Sequence, residues 1–87
     1  MTNTTLIEFP CHFPIKIMGP NTAAFLQEIK EITLKHFPKI EQENITHKKS
    51  KGNNYLAITV TVYAENQNML DNFYREVSKH SEIKMVL

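Results

Sequence analysis

Cys11 and His12 are adjacent, and a thiol beside an imidazole is the simplest pair from which an activated nucleophile is built. They stand where an extended stretch begins, and consecutive side chains of an extended chain point to opposite faces, so the base does not reach the thiol. The expectation is a half-buried structural cysteine. The four histidines, His12, His36, His47 and His80, are scattered, and with a single cysteine they offer no zinc-ligand spacing, so no metal is expected. Glu28 and Glu31 fall on the polar flank of a helical pattern, and Glu41 and Glu43 in a polar connection, where nothing raises a carboxyl pKa toward acid–base use. Two glycines in the whole chain leave no glycine-rich cradle for phosphate. Neither catalytic residues nor a cofactor is expected, and the chain reads as a non-enzyme.

The elements that position these residues follow from periodicity. Phe13, Ile15 and Ile17 alternate with Pro14, Lys16 and Met18 at the strand period of two, and Gly19-Pro20 is expected to break that strand. Asn21 is the expected cap of a helix with Phe25, Ile29 and Ile32 at i, i+4 and i+7, closed by Lys35, His36 and Pro38. Ile45 to Lys49 reads as a short lysine-rich edge strand. Ser50-Lys51-Gly52-Asn53-Asn54 is a cluster of turn formers, and the long strand Tyr55 to Tyr63 follows. Its Leu56, Ile58, Val60 and Val62 share one face. Asn66 caps a second helix carrying Met69, Leu70, Phe73, Tyr74 and Val77, and Ile83 to Leu87 forms a last strand.

Strand-helix-strand twice over, with a tight turn between the middle strands, predicts an α+β, ferredoxin-like βαββαβ two-layer sandwich. Right-handed crossovers put its antiparallel strands in the order 4-1-3-2 with both helices on one face. The helix-covered face is expected to carry Ile15, Ile17, Leu56, Ile58, Val60, Val62, Ile83 and Met85. The open face takes Lys16, Met18, Tyr55, Ala57, Thr59, Thr61, Tyr63, Lys84 and Val86.

At 87 residues the chain holds one domain with a thin core, residues 1–10 being a flexible lead-in. A hydrophobic share of 41% and a charged share of 22% are those of a globular protein. A net charge of +1 supplies no field for nonspecific binding to nucleic acid or anionic membrane. A lone cysteine forms no internal disulfide, Met1 to Phe9 lacks the pattern of a signal peptide, and no stretch is apolar enough to span a membrane. The cytoplasm is the expected compartment.

Function is then expected in binding. Met18, Tyr55, Thr59, Tyr63 and Val86 are candidate interface residues for self-association or a protein partner, because the open face is more apolar than a purely solvated one. Gly19 and Asn21, at the start of the first helix, with Lys51 and Gly52 in the turn, are candidate residues for a small-molecule effector, since helix N-termini seat carboxylates and phosphates. Lys51 to Ile58 loosely echoes the third strand of the RNA recognition motif, but Asn53 and Ile58 stand where stacking rings are wanted, so nucleic acid is disfavoured. The run His47-Lys48-Lys49-Ser50-Lys51 reads first as an edge protected by lysines, with weak RNA binding through Lys48, Lys49 and Lys51 as the alternative.

Glu8-Phe9-Pro10, Lys16-Ile17-Met18-Gly19, Ser50-Lys51-Gly52-Asn53 and the C-terminal Met85-Val86-Leu87 together resemble the YbeD-like family of small bacterial proteins of unknown function. The resemblance runs over nearly the whole chain after residue 7. It implies a ferredoxin-like fold similar to ACT regulatory domains, bacterial origin and a link to lipoate metabolism, and it assigns no catalytic residues. Asn54 departs from the pattern, in which an aromatic residue commonly follows Lys-Gly-Asn directly.

Overall fold

Alternation of branched and polar residues drives both long strands, which pair along their whole length in a computed structural model describing residues 9–86, without the side chain of Lys51. The lead-in expected at 1–10 therefore lies outside the described residues except for Phe9 and Pro10, as does Leu87. β1 (Cys11–Pro20) runs antiparallel to β3 (Tyr55–Ala64), from Cys11 opposite Ala64 to Pro20 opposite Tyr55. Gly19-Pro20 does not break the strand as expected. Both residues stay in the ladder, opposite Leu56 and Tyr55.

The edge strand β2 (Ile45–Lys49) pairs antiparallel with β3, and the short β4 (Met85–Val86) with β1, giving the order β2-β3-β1-β4. Read from the other edge this is 4-1-3-2, the predicted topology of the ferredoxin-like sandwich. Between strands lie α1 (Ala23–His36) and α2 (Gln67–Ser78). Phe25 and Ile29 of α1, with Leu70, Phe73 and Val77 of α2, are buried against Ile15, Ile17, Leu56, Ile58, Val60 and Val62 of the sheet. Each such side chain contributes about 1.5–3 kcal/mol by leaving water. Thr33 joins this layer although polar, because its hydroxyl donates to the Ile29 carbonyl at 2.8 Å. Phe37, just past α1, closes the core edge-on to Phe73 with ring centroids 5.6 Å apart.

Asn66 caps α2 as predicted, its side chain accepting from the Met69 amide at 3.1 Å. The cap of α1 is Thr22, not Asn21: the Thr22 hydroxyl accepts from the Phe25 amide at 3.0 Å. Asn21 stays outside the helix because the strand continues two residues further than its sequence implied, through Pro20.

Candidate functional site

The uncovered sheet face is built by the alternate residues of each strand. Along β1 these are His12, Pro14, Lys16, Met18 and Pro20, and along β3 Tyr55, Ala57, Thr59, Thr61 and Tyr63, all half-buried or exposed. β2 adds Thr46 and Lys48, opposite Thr59 and Ala57. β4 adds Met85, which lies opposite Met18 and is 48% exposed.

The last strand departs from its expected register. Val86 lies opposite the fully buried Ile17 and packs against the core, whereas Met85 takes the open side. Val86 therefore leaves the interface candidates, and Met85, expected in the core, joins them. A shift of one residue exchanges the two faces of a strand, and Met85-Val86-Leu87, apolar throughout, carries no alternation to fix it.

With that correction the open face divides in two. Met18, Met85, Ala57, Pro20 and Tyr55 form an apolar corner where β1, β3 and β4 meet. Tyr63 stands at the other end of β3, eight residues or about 27 Å away at the rise of an extended strand, with its ring centroid 5.0 Å from that of His12. Thr59, Lys16 and Lys48 occupy the polar middle. Among the described strand positions of this face there is no Asp or Glu, and Lys16 and Lys48 are its ammonium groups, while Glu41 and Glu65 stand beside its far end, around Thr61 and Tyr63.

The expected effector position is a second meeting place. The side-chain Nδ2 of Asn21 donates to the Asn53 carbonyl at 2.9 Å, which brings the β1–α1 junction against the turn containing Lys51 and Gly52. In that turn the amide of Asn53 donates to the Ser50 carbonyl at 2.9 Å, and Gly52 has a φ of 86°, a left-handed conformation that suits glycine. Gly19 has a packing reason: a Cβ there would sit 2.2 Å from the Phe25 ring. The Phe25 amide, a donor that an anion at this helix end would seek, is already taken by Thr22.

On the helix side, two of the scattered histidines, His36 and His80, bridge the helix layer. His36 Nε2 lies 2.8 Å from Glu76, which also takes Lys35 Nζ at 3.1 Å. These partners, His36 first, hold the Glu76 carboxyl below its ordinary value of 4.5. His80 Nε2 contacts Glu28 at 2.6 Å, and Glu82 completes a grouping whose ligand-type atoms all lie within 4.8 Å of one another. Its geometry is poor for a metal. A ligating histidine ordinarily donates from its other ring nitrogen, but here His80 Nδ1 accepts from the Glu82 amide at 3.2 Å, leaving Nε2 to carry the proton toward Glu28. Cys11 and His12 lie on opposite sides of the sheet, opposite Ala64 and Tyr63 respectively. No helix among the described residues is long and apolar enough to cross a membrane.

The fold has counterparts among solved structures. The solution structure of protein HP0495 from H. pylori superposes with a TM-score of 0.74 at 12% identity, covering 99% of this chain and 90% of that one. The ACT domain from GTP pyrophosphokinase of Chlorobium tepidum gives a TM-score of 0.62 at 16% identity, covering 88% of this chain and 97% of that one. At these identities the likeness is one of fold. Sequence relatives are nearer: a UPF0250 protein of Neisseria gonorrhoeae is 44% identical over 84 residues, 97% of this chain and 92% of its own. A UPF0250 protein of Leptothrix cholodnii is 43% identical over 83 residues, 95% of this chain and 91% of its own. The family model described as "Protein of unknown function (DUF493)" matches residues 4–87, and the chain belongs to that family of small, functionally uncharacterised proteins with an ACT-like fold.

Proposed function

We propose that this protein is a noncatalytic interaction module of the bacterial cytoplasm, whose uncovered sheet face binds a protein partner carrying an apolar segment flanked by acidic residues. The observation that carries this reading is the composition of one end of that face: an apolar corner of Met18, Met85 and Tyr55 beside Lys16 and Lys48, with no acidic residue among the described strand positions there. Met18 and Met85 supply adaptable apolar contact, and tyrosine is enriched at interfaces. The lysines decide between partners. Two copies docked face to face would bring like charges together, whereas an acidic surface is attracted and oriented by them. RNA fits less well, because Tyr55 and Tyr63 are too far apart on β3 to stack neighbouring bases, and the lysines of β2 alternate, Lys48 toward the open face and Lys49 away from it. The β1–α1 corner carries less weight as an effector seat, because packing explains Gly19 and capping occupies the Phe25 amide.

Charge reversal tests the reading. A protein retained from a native bacterial lysate by the immobilised wild type is expected to be lost with the double variant Lys16→Glu, Lys48→Glu, and to elute as salt rises. Light scattering is expected to show a monomer for both. Retention unaffected by the charge reversal, or a wild-type dimer that Met85→Asp dissociates, contradicts it.

A further inference from the structure

β2 begins at Ile45 opposite Val60, so the last stretch of β3, Thr61 to Ala64, has β1 on one side and no strand on the other among the described residues. The segment from Phe37 to Asn44 arches past this unpaired edge. It is held by its own bonds: the Ile40 amide donates to the Phe37 carbonyl at 3.0 Å, and the Asn44 amide to the Glu41 carbonyl at 2.9 Å. None of the described backbone bonds outside the regular elements joins this arch to Thr61–Ala64. Between them lies a cavity of about 400 Å³, within the range of small-molecule sites.

Its walls have a definite chemistry. Phe37, Ile40 and Met69 make one side apolar, and Tyr63, in contact with His12, offers an aromatic surface on the other. Three charged side chains line it, Lys39, Glu41 and Glu65, and none of them forms an ion pair among the described residues. The lining therefore carries one net negative charge in excess, next to an aromatic ring whose face also attracts cations.

We infer that this cavity is a binding site for a small organic cation with a flat apolar body, an aromatic monoamine being the chemical class that fits. The ring lies between Tyr63 and the Ile40–Met69 wall, and the ammonium faces Glu41 and Glu65. The site takes in His12, Thr61 and Tyr63 at the far end of the open face, away from the apolar corner, Lys16 and Lys48 on which the partner surface is argued.

The test uses the whole protein and three probes that share one ring system and differ in side chain and charge: tryptamine, indole and indole-3-propionate. Chemical shifts of the amides of Thr61, Tyr63, Glu65 and Lys39 are expected to move saturably with tryptamine. Indole is expected to bind more weakly, and indole-3-propionate weakest of all. The double variant Glu41→Gln, Glu65→Gln, both positions exposed, is expected to weaken tryptamine about tenfold or more and to leave indole unchanged, a tenfold loss being what one favourable charge contact of about 1.4 kcal/mol supplies. Equal or tighter binding of the propionate overturns the inference. So does tryptamine affinity untouched by the double variant, or an absence of saturable shifts at these residues with every probe.

Discussion

Gly19 shows how a single residue is misread when only its local chemistry is weighed. Beside Pro20 and Asn21 it looks like a strand breaker opening an anion seat, yet it lies within β1 and exists for the ring that rests on it, the fully buried Phe25. A contact across 6 positions of sequence leaves no local signal, so this role was not legible. Gly19→Ala is expected to cost about 1–3 kcal/mol by overpacking and to lower the melting temperature by about 4–8 °C per kcal/mol in a domain of this size. A calorimetric scan matching wild type contradicts the assignment. Glu76 gives a second expectation. Its carboxyl is held below 4.5 by His36 and Lys35, so the stability it contributes is present above that value and is lost as pH falls through the lower folded-state value. The stability gap between wild type and Glu76→Gln is therefore expected to be open near neutral pH and to narrow as pH falls below 4.5 in denaturant titrations. A gap that widens toward acid has the wrong sign.

Among the elements, legibility tracks the strength of the period. α1 and α2 carry apolar stripes at helical spacing, and β1 and β3 alternate over ten residues each, so their existence, order and buried faces could be read directly. β4 is two residues long and sits in an apolar run, and there the register was lost. Tertiary pairing fixed it: Val86 opposite Ile17 fills the core, and Met85 is left over the open side. Val86→Asp is accordingly expected to destabilise by on the order of 2 kcal/mol through a charge set against the core, whereas Met85→Asp stays within about 0.5 kcal/mol of wild type. Urea midpoints for the two variants check this, and the reverse order would restore the original register. The arch from Phe37 to Asn44 was hidden for a different reason. Lys39 to Glu43 reads as polar linker because a cavity wall formed by a loop has no period to detect.

At the scale of the whole molecule, the decisive asymmetry is that two helices cover one side of a four-stranded sheet and no described element covers the other. That asymmetry was legible, because βαββαβ order with right-handed crossovers forces it. Its functional content was legible only in part. Met18, Tyr55 and Thr59 stand on the open face as expected, but Tyr63 is remote from the apolar corner, and Met85 is placed only by its pairing with Met18. The ACT-like fold supplies the frame, and the side chains of this face supply the reading, since one fold serves many functions. Site-specific photocrosslinking in living cells tests it most directly, with a benzophenone side chain placed at Met85 or Thr59 on the sheet face, or at the exposed Leu34 on α1. A discrete heavier protein adduct is predicted from Met85 and Thr59 and not from Leu34. Adducts from Leu34 alone, or none from the sheet positions while the labelled protein is folded and abundant, would contradict the account.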